Sequence, residues 1–108
     1  MTLSTHILDT ASGRPASGVV VRVEAFTGDG WRPLASGTTD DNGRITELLG
    51  PEALARGEYR LTFEVGEYLG PDAFYPEVTI VFRVQDPEEH HHIPLLLNPF
   101  GFSTYRGS

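Results

Sequence analysis

Tyr59-Arg60-Leu61-Thr62-Phe63-Glu64-Val65 alternates apolar and polar residues from end to end. Successive side chains of an extended strand point to opposite faces. Tyr59, Leu61, Phe63 and Val65 therefore line one face, and Arg60, Thr62 and Glu64 the other. Val19-Val20-Val21-Arg22-Val23-Glu24-Ala25 shares the pattern: Val19, Val21, Val23 and Ala25 oppose Val20, Arg22 and Glu24. In Val78–Val84, Val78, Ile80, Phe82 and Val84 oppose Thr79 and Arg83. Each segment reads as a half-buried strand of an antiparallel sheet. Two such sheets packed face to face bury the apolar sets.

Working outward, the chain has 12 Gly and 8 Pro, and its turn clusters recur at short intervals, as in sandwiches and barrels. Ser12-Gly13-Arg14-Pro15, Gly28-Asp29-Gly30, Asp40-Asp41-Asn42-Gly43, Asp86-Pro87 and Asn98-Pro99 separate the strands. The reading predicts strands over 3–9, 18–26, 31–38, 44–48, 58–65, 77–84, 90–97 and 102–106. Pro51 to Gly57 reads as one helical turn, with Pro at its start and Gly past its end. The fold class is all-β.

Two strands depart from simple alternation. Leu3, Thr5 and Ile7 share one face, with His6 and Leu8 on the other. Ile93, Leu95 and Leu97 share one face, with His90, His92, Pro94 and Leu96 on the other. If the first set of each fills the core, Leu8 and Leu96 face outward beside histidines. Such a stripe is unusual for a monomer and predicts cover by another subunit. The alternative is a bulge that shifts register and buries both leucines.

At 108 residues the chain is one domain, 1–108, and 39% hydrophobic residues suffice for one core. No run of 18 apolar residues exists, so no membrane span is expected. The absence of cysteine excludes a disulfide framework, a thiolate metal site and a cysteine nucleophile. A net charge of −7 argues against a nucleic-acid surface. All eight bases are Arg, which reads as codon bias. The segment Met1–Thr10 has no basic region followed by a long apolar one, so the expected compartment is the cytoplasm, or the periplasm if an export signal was removed.

Four histidines, His6, His90, His91 and His92, are the candidates for proton transfer near neutrality. His6 and His92 project to the same outward face and can share base and acid roles. The rival reading of the triplet is a Zn or Cu site from His90 and His92 with His6; it ranks below organic acid–base chemistry. Arg44, after the Asp41-Asn42-Gly43 turn, offers a planar donor fork suited to a flat, oxygen-rich heterocycle; a surface Arg after a hairpin is the plainer reading of its spacing. The segment Phe102–Ser108 is rich in hydroxyls and aromatics and reads as strand-like to its last residue. No nucleophile elbow, phosphate loop or zincin motif is present. Asp9 falls on the opposite face from His6, which argues against a Ser–His–Asp triad.

Leu3-Ser4-Thr5-His6-Ile7-Leu8-Asp9, Gly43-Arg44, the run from His90 to Leu97 and the ending Ser103-Thr104-Tyr105-Arg106-Gly107-Ser108 together resemble the 5-hydroxyisourate hydrolase family, transthyretin-like enzymes of purine breakdown. The resemblance covers essentially the whole chain, and the Tyr-Arg-Gly-Ser ending separates these enzymes from transthyretin proper. It implies a transthyretin-like two-sheet, eight-stranded β-sandwich with one short helix, placed after the strand ending near Val65, at Glu67–Gly70. It implies a homotetramer, a dimer of dimers, with sites in a channel between dimers that would cover Leu8 and Leu96. The family's catalytic residues map onto His6, Arg44, His92 and Ser108. Tyr105 falls at a channel-facing, substrate-binding position. The partner is a purine-derived small molecule, with no nucleic acid, membrane, metal or cofactor. The implied reaction converts 5-hydroxyisourate to 2-oxo-4-hydroxy-4-carboxy-5-ureidoimidazoline. His91 departs from the family, where Tyr is common; alternation turns it away from His92. Asn98 and Phe102 are mild departures. A transthyretin-type carrier and a secreted β-sandwich interaction domain are the competing readings.

Overall fold

Residues 3–49 and 54–108 are described by the structure, a computed structural model. Nine strands and one helix are formed among them: β1 (Leu3–Asp9), β2 (Arg14–Pro15), β3 (Val20–Phe26), β4 (Trp31–Thr38), β5 (Arg44–Ile45), β6 (Gly57–Glu64), α1 (Gly66–Leu69), β7 (Val78–Val84), β8 (His91–Asn98) and β9 (Gly101–Thr104). One sheet has the order β4-β3-β6-β7. The other runs β2-β1-β8-β9, with β5 also paired to β1. All pairs are antiparallel except β1 with β8, which is parallel.

The inward faces meet in one core. Val21, Val23, Leu61 and Phe63 from one sheet and Leu3, Ile7, Leu95 and Leu97 from the other are all buried in it. Truncating such a residue, for example Leu95→Ala, costs about 2–5 kcal/mol, because lost transfer energy adds to the cavity left behind. The outward residues of β3 and β6 are partly exposed except Thr62, which is buried beside Thr79 with its Oγ1 3.5 Å away. Leu8 and Leu96 are both half-exposed and lie opposite each other in the β1–β8 register. No bulge intervenes in that pair, so both leucines face outward.

Several expectations need correction. The eight-stranded count misses β2, a two-residue edge pair on β1 that its Pro disguised. The predicted strand 44–48 ends at Ile45, after which the chain turns so that Leu48 N–H donates to the Leu3 carbonyl at 3.0 Å. The last strand ends at Thr104 rather than 106. The helical turn over 51–57 falls partly outside the described residues; within them, Leu54 to Arg56 is not helical and Gly57 opens β6. The single short helix is α1, after Val65, where Gly70 closes it with φ 90°. Among the described residues, no helix is long and apolar enough to cross a membrane.

Candidate active site

Register brings the candidate residues together. Ser4 of β1 lies opposite His92 of β8, and His6 lies opposite both Pro94 of β8 and Arg44 of β5. Directly opposed residues of neighbouring strands share a face. Ser4, His6, Arg44 and His92 thus stand on one outward face, which His90 joins from the residue before β8.

Arg44 is fixed by the turn that precedes it. The Asp40 carboxylate accepts the N–H of Asn42 at 2.8 Å and of Arg44 at 3.0 Å. The Arg44 N–H and the nearby Arg44 and His6 charges hold that carboxyl below its usual range, outweighing burial. Gly43 sits at φ 71°, and a Cβ there would lie 2.5 Å from the Ile7 carbonyl oxygen. That close approach lets Gly43 O accept the Ile7 N–H at 2.8 Å, clamping the turn to β1.

His92 is held from two sides. Its Nδ1 is 2.8 Å from Ser4 Oγ, and the same oxygen is 2.8 Å from His90 Nε2. On the other side, the chain beyond β9 folds back so that Gly107 N–H donates to the His92 carbonyl at 2.9 Å. A Cβ at Gly107 would overlap the imidazole, lying 3.1 Å from its Cγ. Only glycine lets the tail pass this close, and the pass delivers Ser108 to the site. Burial, then the charges of Arg44, His90 and His6, push the His92 imidazole below its usual 6.5. A neutral imidazole is therefore the form present at neutral pH.

Ser4, Arg44, Thr46, His90, His92 and Ser108 line a cavity of about 280 Å3 together with Thr5 and Ile45. His6 is not among the lining residues; it stands beside the cavity through its pairing with Arg44. Tyr105 lies elsewhere. It is 60% exposed and lines a second cavity of about 320 Å3 with Ile80, Phe82 and His91. His92 borders both cavities, so Tyr105 is a neighbour of the site rather than a wall of the Arg44 cavity. His91 turns between the sheets, 5% exposed, with its ring 6.4 Å from that of Phe82. Asp9 takes no part: its carboxylate accepts from Tyr68 OH at 2.8 Å and from the backbone of Ala11 and Ser12. Burial raises the Asp9 pKa, but these bonds together lower it below the usual 3.8.

Among the described residues, no group of three or more His, Asp or Glu is arranged to hold a metal ion. The arrangement can instead accept a proton at a neutral imidazole and stabilise negative charge on an oxygen with a guanidinium. Ser4 and Gly107 carry no chemical signature of their own in the sequence; Ser4 is placed by register and Gly107 by the fold-back of the tail, whereas His90 is a candidate already as one of the four histidines.

The HIUase/Transthyretin family model matches residues 3–107. A 5-hydroxyisourate hydrolase of Salmonella typhimurium is 46% identical over 109 residues, covering 98% of this chain and 80% of that protein. One from Caulobacter vibrioides is 45% identical over 113 residues, covering 98% and 97%. The structure of Klebsiella pneumoniae 5-hydroxyisourate hydrolase superimposes with TM-score 0.87 at 39% identity, over all of both chains. Sea bream transthyretin in complex with thyroxine superimposes with TM-score 0.91 at 34% identity, over 99% of this chain and 95% of that one. With the fold, the matched residues and these relatives in agreement, the chain belongs to the HIUase/Transthyretin family.

Proposed function

We propose that this protein hydrolyses 5-hydroxyisourate to 2-oxo-4-hydroxy-4-carboxy-5-ureidoimidazoline in urate degradation. The observation that carries the reading is the gathering of His92, Arg44 and Ser108 around one cavity, with His6 paired to Arg44 beside it. The identity to several 5-hydroxyisourate hydrolases supports it.

His92, neutral and with Nδ1 engaged by Ser4, takes a proton from water at Nε2. The hydroxide oxygen bonds to the ring carbonyl carbon. Arg44 holds the planar substrate and stabilises the oxyanion with its donor fork. The ring C–N bond then breaks, and His6 gives a proton to the departing nitrogen. Ser108 closes the cavity and orients the water. General acid–base catalysis supplies roughly 10²–10⁴-fold and the oxyanion donor about 10²–10³-fold. These side chains carry each step, with no cofactor.

The working form is a homotetramer, a dimer of dimers, with the site in a channel between dimers. The half-exposed pair Leu8 and Leu96, on the same outward face as His6 and His92, supports this. The sandwich is a single domain over 1–108.

The likeness to a thyroxine-bound transthyretin favours one other reading, a small-molecule carrier. Freshly made 5-hydroxyisourate separates the two. With chelator-treated protein and spontaneous decay subtracted, its ultraviolet absorbance should fall at a rate proportional to protein. Binding without acceleration would support the carrier instead.

A further inference from the structure

The mechanism above uses one hydrogen bond of Ser4 and leaves the other unexplained. Ser4 Oγ lies 2.8 Å from His92 Nδ1 and 2.8 Å from His90 Nε2. A hydroxyl has one proton and two acceptor lone pairs. It can donate to one ring only, so at least one imidazole carries a proton on its Ser4 side. Ser4 is 7% exposed, so water has little access to the bridging oxygen. The two rings stack at 16° with centroids 6.5 Å apart, on either side of it. The parallel register produces this: Ser4 stands opposite His92, and the residue two before His92 falls on the same face.

We propose that Ser4 is a positioning residue that links His92 to His90 in a two-proton relay, with His90 holding the charge created when His92 deprotonates water. The inference rests on the hydrolase reading of this site. At rest, His92 Nδ1–H donates to Ser4 Oγ, and Oγ–H donates to His90 Nε2. His92 Nε2 is left with a free lone pair. When water attacks, its proton goes to His92 Nε2 and its oxygen bonds to the carbonyl carbon. The Nδ1 proton passes to Oγ, and the Oγ proton to His90 Nε2. His92 ends neutral, and His90 becomes the imidazolium. After His6 has protonated the departing nitrogen, the two relay protons return, from His90 Nε2 to Oγ and from Oγ to His92 Nδ1, while His92 Nε2 releases the proton it took from water and His6 regains one from solvent. The groups are then back at their starting protonation, and no atom changes oxidation state.

The electrostatics of the face favour this division. The charged and titratable groups acting on His92 are Arg44 from β5, His6 from β1 and His90. Two of these, Arg44 and protonated His6, are cations during the reaction. A positive charge on His92 itself would stand against both. Passing it through one hydroxyl moves it to the far side of Ser4.

Steady-state kinetics across pH and ¹⁵N imidazole spectra should be compared for wild type, Ser4→Ala, Ser4→Thr, His90→Gln and the double variant Ser4→Ala/His90→Gln. Ser4→Ala and His90→Gln should each lower kcat roughly tenfold or more, part of what a general base supplies, with KM little changed. Ser4→Thr should recover activity because it restores the hydroxyl. The double variant should be no slower than the worse single, since both break one relay. In Ser4→Ala the Nδ1 signal of His92 and the Nε2 signal of His90 should both move. Wild-type kcat and pH profile in Ser4→Ala, or multiplied losses in the double variant, would overturn the relay while leaving the hydrolase reading intact. A wild-type protein without turnover but with linked ring shifts would overturn the hydrolase reading and leave the hydrogen-bonded linkage standing.

Discussion

On the outward face of the β4-β3-β6-β7 sheet, charge is answered by charge. Arg22 meets Glu64 at 2.7 Å, Arg60 meets Glu24 at 2.7 Å, and Arg83 meets Glu58 at 2.9 Å. Arg60 also lies 4.5 Å over the Trp31 ring. On the outward face of β1 and β8 the bases stand together. Arg44, His6, His90 and His92 are neighbours there, and among the described residues no carboxylate forms an ion pair with Arg44. The difference is one of purpose. Exposed pairs contribute little to stability, typically about 0–1 kcal/mol, but they give Arg22, Arg60 and Arg83 on the first face a carboxylate each. The second face keeps the Arg44 guanidinium without an ion pair among the described residues, beside the partly exposed Leu8 and Leu96, which suits the proposed planar, oxygen-rich substrate and covering subunit.

Substitutions on the two faces should therefore behave differently. The largest effect should come from Leu96→Glu. In the proposed dimer of dimers, carboxylates forced together at the channel wall would be desolvated without partners, so light scattering should show dissociation into dimers, and activity should vanish. A fully active tetramer would place Leu96 away from the interface. Arg44→Ala should lower kcat/KM by about 10²–10³-fold, the usual cost of an oxyanion donor, and Arg44→Lys should recover only part of it. Lysine keeps the charge but not the planar fork. Full recovery by Lys would show that a point charge suffices.

Gly107→Ala should cost about 10²-fold in kcat, the scale of a 1 Å misplacement, because the new Cβ meets the His92 ring. Thermal melts should change little, since the tail buries little core. Arg60→Ala, on the paired face, should give the smallest effect: unchanged turnover with a slightly lowered Tm. A large loss of turnover there would erase the contrast between the faces.

The strands were legible because alternation is a local property, and Tyr59–Val65 or Val19–Ala25 shows it without a fold. The same parity put His6 and His92 on one face with Leu8 and Leu96. The helix was harder. Pro51 and Gly57 carry end signals, whereas α1 is four residues with no buried side chain and so has no periodicity to read. The site was only half legible. Placing Arg44 opposite His6 depends on how β5 pairs with β1, a register between segments 38 residues apart that no local pattern encodes. Ser4 was invisible for the same reason: its partners lie 86 and 88 residues away. Tyr105 was assigned by its place in a motif; it follows the end of β9 at Thr104 and lines, together with His92, the cavity that adjoins the Arg44 one.

The pH dependence follows from His92. Its pKa is lowered from 6.5 by burial and by its cationic neighbours, so the free base persists below pH 6.5. Folding stability linked to this group is full above pH 6.5 and is lost as pH falls through the lowered value. The most direct test of the account is turnover of freshly made 5-hydroxyisourate by wild type and His92→Ala, measured from neutral pH downward with circular dichroism as the fold control. The account predicts rapid turnover by wild type with an acid limb below pH 6.5, and a loss of about 10²–10⁴-fold in His92→Ala with its fold intact. Near-wild-type turnover by a folded His92→Ala would contradict it.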